Sequence, residues 1–286
     1  MMDFKDSTLV LIGHGSTLNA ESASPTHQHV ETLKKKNIFS HVVACFWKEE
    51  PGISGVLRQV FTPRVFFVPL FISDGYFTEQ VIPRELGFEL KDGVIGDKVE
   101  DRGNTKFHYC EPVGTHPNMT ELLIRRATET LEKYPFPTLA TTDQTTLFIA
   151  GHGTGNNTNS RKAIENQVEI IRKQNIFHGV HSIFMEEDPL IAECYNLAET
   201  KNIVVVPFFI SDGLHSFEDI PMMLGEKEKV VAERYQSGLP TWRNPTEMKD
   251  KRVWYASSIG NESGMADVIL DRVNEANQSA KEVLLA

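Results

Sequence analysis

FISDGLHSFEDIP, residues 209–221, repeats FISDGYFTEQVIP, residues 71–83, with seven of the thirteen positions identical. The copies lie 138 residues apart. The same 138 separates His14 in GHGS from His152 in GHGT, and Asn37-Ile38-Phe39 from Asn175-Ile176-Phe177. It also separates Pro51, Pro69 and Pro83 from Pro189, Pro207 and Pro221. Downstream, YCEPVGTHPNM (109–119) matches YASSIGNESGM (255–265) at an offset of 146, so the second half carries about eight extra residues, placed around SGLPTWRNPTE. A unit this long is a duplicated domain. Solenoid repeats are single supersecondary units of roughly 20–45 residues.

Within each half, apolar runs alternate with amphipathic stretches. In the second, TLFIA (146–150), VHSIFM (180–185), IVVVPFFI (203–210) and RVWYASSI (252–259) read as buried strands. Between the first two, Ile164, Val168 and Ile171 recur at helical spacing, with Asn159 or Ser160 as the cap. In the first half, Ser24 before Pro25 reads as a helix start. IRRATETLEK and VILDRVNEAN read as the last helix of each half. Strand–helix alternation implies a parallel sheet covered on both faces. The sequence therefore predicts an α/β protein of two similar doubly wound parallel-sheet domains, residues 1–138 and 139–286.

Composition sets the limits on function. A chain of 286 residues is long enough for two cores. No apolar run approaches the ~20 residues that span a bilayer. The opening MMDFKDSTLVLIGHGST lacks the apolar core and cleavage site of a signal peptide. Cys45, Cys110 and Cys194 form no CxxC pair, which fits a reducing compartment and opposes a disulfide framework or a thiolate zinc site. The formal charge of −10 opposes nucleic-acid binding. The expected setting is the cytoplasm, with no membrane and no nucleic-acid partner.

Open parallel sheets bind ligands beyond the carboxyl ends of their strands, where strand order reverses. In the second half His152 follows TLFIA, Glu186 and Glu187 follow HSIFM, and His215 follows VVVPFFI and its SDG turn. Two imidazoles and a carboxylate suit a borderline divalent ion with positions left open, and the same groups accept protons. Taken singly, a histidine between glycines also reads as a helix cap, His215 as a turn residue, and EEDP as an acidic helix start. Their common rim favours a site. Gly151, Gly153 and Gly155 miss the dinucleotide spacing because Asn156 stands where the third glycine belongs, and no acid follows at a strand end.

At this point GHGT (151–154), EEDP (186–189), PFFISDGLHSFEDIP (207–221) and VGTHP (113–117) resemble the sirohydrochlorin chelatases of the CbiX/SirB type, over nearly the whole chain. GHG alone is a weak signal; joined to the proline-rich G-x-H-x-x-x-D-I-P segment at matching spacing it is specific. The resemblance implies an ATP-independent chelatase inserting a divalent metal, cobalt or iron, into sirohydrochlorin for cobalamin or siroheme synthesis. The metal is substrate, and no organic cofactor is implied. His152 and His215 are the implied metal-binding and catalytic pair, helped by Glu186 or Glu187. Gly153, Ser211 and Gly213 are the implied substrate contacts. Arg161 and Lys162, after the GHGTGNNTNS loop, would meet the carboxylates of the tetrapyrrole. Two other readings use the same ligands: a non-catalytic carrier of metal or tetrapyrrole, and a chelatase for another macrocycle or for nickel. The duplication lets one chain supply both lobes, and leaves monomer and homo-oligomer open.

The first half departs from this pattern. It keeps His14 but has Phe77 opposite His215, Val81 opposite Asp219, and Trp47-Lys48-Glu49-Glu50 opposite Met185-Glu186-Glu187-Asp188. Long members of the family often keep the paired histidines in the first half; here the pair is expected in the second.

Overall fold

LVLI in the first half and LFIA in the second are fully buried at Leu9–Ile12 and Leu147–Ala150, which sets both runs at the centre of a sheet covered on two faces. The computed structural model describes residues 3–17, 22–153 and 158–285, so Thr154, Gly155 and Asn156 of the glycine-rich loop lie outside the described residues. Its strands are β1 (Phe4–Gly13), β2 (Phe39–Phe46), β3 (Arg64–Pro69), β4 (Leu90–Lys91), β5 (Val94–Ile95), β6 (Val99–Arg102) and β7 (Thr105–Tyr109). They continue with β8 (Thr145–Gly151), β9 (Gly179–Phe184), β10 (Asn202–Pro207), β11 (Thr246–Met248) and β12 (Lys251–Tyr255).

The chain forms two compact units. Unit 1 is Met1–His116 with Ser263–Ala286, and unit 2 is Pro117–Glu262. In unit 1 the sheet order is β2-β1-β3-β7-β6. The pairs β1–β2, β1–β3 and β3–β7 are parallel, and β6 closes the edge antiparallel to β7. The separate hairpin β4–β5 stands outside this sheet. Unit 2 has the equivalent order β9-β8-β10-β12-β11, with β11 the antiparallel edge. Both central strands have their successors on opposite sides, so the switch point falls between β1 and β3 and between β8 and β10. The α/β class and the parallel strands match the sequence reading. The antiparallel edges and the hairpin are additional.

Each crossover helix ends the same way. Ser24–Lys36 and Asn159–Gln174 stop at Asn37 and Asn175, both left-handed at φ 53°, with lysine or arginine in the last turn. Asparagine tolerates that conformation, and the cations favour the negative helix end. The starts differ from expectation. Ala23 and Thr158 flank the first turns, and neither helix has a side-chain cap bond, so Ser24 and Asn159 are already helical. Pro25 does take its place in the first turn.

The compact units and the sequence repeat have different boundaries. The Met119–Lys133 helix, last of the first repeat, packs on β10 and β12, whereas the Met265–Leu285 helix packs on β3 and β7. Buried charges fix both. Glu262, 4% exposed at its side chain, pairs with Arg125 and Arg126 in unit 2. Arg272 in unit 1 donates to the Pro112 carbonyl at 3.1 Å and the Thr115 hydroxyl at 2.7 Å. Among the described residues no helix is long and apolar enough to cross a membrane.

Candidate metal centre

The rim of unit 2 begins where β8 ends. The His152 carbonyl accepts from the backbone N–H groups of Met185 and Glu186, each at 3.1 Å, which ties the loop after β8 to the loop after β9. Gly153 then turns with φ +72°, and a Cβ there would lie 2.6 Å from Cγ of Glu187. Only glycine meets both conditions at this position. The His152 Nδ1 lies 2.9 Å from the Gly153 carbonyl. A carbonyl only accepts, so Nδ1 carries the proton and Nε2 presents its lone pair.

His215 arrives from β10. Pro207 closes that strand, so FFI leaves the sheet and Ser211 and Gly213 form the half-buried bend before the site. Asp212 braces the bend by accepting from the Ser258 N–H at 2.9 Å. Gly260 lets the neighbouring loop approach: a Cβ there would lie 1.6 Å from the Ile210 carbonyl oxygen. The chain then winds into a π-helical turn, His215–Asp219, and the Tyr255 hydroxyl donates to the Ser216 carbonyl at 2.8 Å. Such wide turns recur at functional sites. His215 Nδ1 lies 2.6 Å from the Asp219 carboxylate, so it donates, and Nε2 is again the open nitrogen.

The two imidazoles stand with ring centroids 5.0 Å apart and planes at 83°. Each has its Nδ1 held by an oxygen, the arrangement that orients histidine for metal binding through Nε2. Among the described residues no group of three or more histidines, cysteines and acids is arranged to hold a metal. The pair thus offers two nitrogens and leaves the rest of a coordination sphere open.

The two glutamates divide. Glu186 is exposed, with Oε2 3.7 Å from His152 Nδ1. Glu187 turns inward beneath Gly153 and pairs with Arg161 at 3.3 Å. Arg161 also donates to Glu165 at 2.8 Å and to the Asp188 carbonyl at 2.9 Å, and lies over the Phe184 ring at 4.9 Å. These partners make it a brace for the loop. Lys162 is exposed one position on. Asp219 did not figure among the expected site residues. The signal was present as H-x-x-x-D, with Val81 at the matching place in the other copy.

Unit 1 repeats the scaffold without the pair. His14 Nδ1 lies 2.9 Å from the Gly15 carbonyl, Gly15 turns at φ +67° over Glu49, and Glu49 accepts from the Ser16 N–H at 2.8 Å. Phe77, its ring centroid 5.4 Å from that of His14, stands in place of a second imidazole.

The chain resembles known proteins along most of its length. The CbiX family model matches twice, at residues 8–130 and 146–276. A probable sirohydrochlorin cobaltochelatase of Halobacterium salinarum is 40% identical over 94% of this chain and 91% of its own. A multi-domain protein of Deinococcus radiodurans, described as structurally similar to chelatases with two additional novel domains, superposes with a TM-score of 0.73 at 30% identity. That match covers 93% of this chain and only 54% of the Deinococcus protein. SirB from Bacillus subtilis, solved with Fe3+, superposes at 0.67 over 98% of both chains; at 15% identity it speaks for the fold alone.

Proposed function

The chain belongs to the CbiX family, and from that premise we propose that it is a sirohydrochlorin chelatase that inserts cobalt(II) without ATP, in cobalamin synthesis. The observation that carries the reading is the imidazole pair, 5.0 Å apart with each Nδ1 already bonded to oxygen. Cobalt is preferred to iron because the Halobacterium relative, which matches nearly the whole chain, is a probable cobaltochelatase. The three free thiols, Cys45, Cys110 and Cys194, are all buried, which fits a cytoplasmic setting.

His152 and His215 receive the ion through their Nε2 atoms. Two neutral imidazoles leave most positions to water and then to the ring nitrogens, so the ion is held loosely enough to be passed on. As the metal enters, the macrocycle gives up two pyrrole N–H protons, and charge balances as M2+ replaces 2 H+. Glu186, beside His152 and 59% exposed at its side chain, takes these protons in turn and returns them to water.

The rate of metallated sirohydrochlorin formation tests this directly. His152→Ala and His215→Ala should each lower it by ~10²-fold or more, since each removes a ligand and its share of positioning. His14→Ala should cost far less. A His14 variant as inactive as the other two would put the working site elsewhere. Metal binding without turnover in the parent would make the protein a carrier. Competition between Co2+ and Fe2+ on one sample identifies the metal.

A further inference from the structure

Each unit ends a strand on a buried tyrosine, Tyr109 in β7 and Tyr255 in β12. Both hydroxyls donate to a backbone carbonyl in a wide π-helical turn. Tyr109 donates to Thr78 at 2.6 Å, within Tyr76–Val81, and Tyr255 to Ser216 at 2.8 Å, within His215–Asp219. The sequence explains why these two carbonyls take a side-chain donor. In such a turn each carbonyl accepts from the N–H five residues on. Ile82 donates to the Phe77 carbonyl in this way, and Ile220 to that of His215. The next donors in the series would be Pro83 and Pro221, and proline has no N–H. Thr78 and Ser216 are both buried, so their carbonyls need a partner other than water, and each tyrosine supplies one.

In unit 1 the turn held this way carries Phe77; in unit 2 it carries His215 at its head and Asp219 at its foot. Without the hydroxyl, the Ser216 carbonyl would compete with that of His215 for the Ile220 N–H, four residues on, which is α-helical pairing. The turn would tighten and carry the imidazole off its place beside His152. We infer that Tyr255 is a positioning residue for the metal centre, acting through the Ser216 carbonyl to hold open the turn that aims His215. The inference rests on the reading of His152 and His215 as the metal pair.

The duplication supplies the control. Tyr255→Phe and Tyr109→Phe, made in the full-length chain, each keep the ring and strand one buried carbonyl, so both should fold and melt about 2–6 °C below the parent. Co2+ titration followed by absorption then separates them. Tyr255→Phe should weaken Co2+ binding about tenfold, the scale of removing a group behind a ligand, and should alter the ligand-field spectrum at saturating metal. Tyr109→Phe should keep the parent affinity and spectrum, because its turn carries no ligand. A Tyr255→Phe variant that melts lower yet binds Co2+ like the parent would overturn the inference and leave the metal pair standing. Equal weakening by Tyr109→Phe would also overturn it, as a general loosening of the protein. Co2+ binding that survives His215→Ala would remove the metal pair itself, and the role of Tyr255 with it.

Discussion

Asp219 controls what His215 offers a metal. The imidazole is about half exposed and meets the His152 ring edge-on, and the 2.6 Å bond from Nδ1 to the Asp219 carboxylate sets its tautomer and steadies its orientation. Asp219→Asn should therefore weaken Co2+ binding by about 10- to 100-fold. Stability should barely change, because a pair this exposed contributes ~1 kcal/mol or less. Spectroscopic Co2+ titration beside a thermal melt measures both, and parent-like affinity would refute the role. At this scale the sequence singles out His152 and His215 through GHG and G-x-H-x-x-x-D-I-P, each just past an apolar run, and the structure sets the two rings 5.0 Å apart. For Arg161 the sequence shows only the charge near the rim, whereas the partners of its guanidinium, Glu165, Glu187 and Asp188, are seen once the loop is folded.

His108, on β7, lies buried against the Met265–Leu285 helix of unit 1, stacked on Phe66 at 4.5 Å. Burial, reinforced by the charges of Lys106 and Arg64, pushes its pKa down to about 4. In the unfolded chain the same ring takes its proton near ~6.5. Between these values the unfolded state binds the extra proton, so stability is full above ~6.5 and declines as pH falls toward 4. At about 1.4 kcal/mol per unit, the total is on the order of 3 kcal/mol. Urea midpoints at about pH 7 and pH 4.5 should differ less in His108→Phe than in the parent. An equal difference in the two proteins would sink this account. The central strands that carry the candidate rim were legible because LFIA and IVVVP are buried on both faces and so are written as apolar runs. The antiparallel edges were not: VEDR and TEM are short and polar, with one side open to water, so nothing in their pattern separates them from loops.

For the whole molecule, duplication was plain in the constant offset, but the exchange of the last helices was not. An amphipathic stripe states that a helix needs a sheet, and two similar sheets satisfy it equally. The exchange makes unit 2 continuous and unit 1 discontinuous. A fragment of residues 117–262 should therefore melt cooperatively alone. Residues 1–138 should not, because they lack Met265, Val268, Ile269 and Val273, all buried in unit 1. At ~1.5–3 kcal/mol for each such side chain, the loss rivals the ~5–15 kcal/mol that holds a domain folded. Circular-dichroism melts of both fragments decide it, and a sharp transition in residues 1–138 would contradict the packing described. The same discontinuity sets an order of events on the ribosome. β1 to β7 emerge first, yet the helix that covers β3 and β7 emerges only after all of unit 2. At ~5–20 residues per second that is roughly ten to thirty seconds of exposed apolar sheet, so unit 1 is begun before unit 2 and finished after it, and is the one more in need of a chaperone.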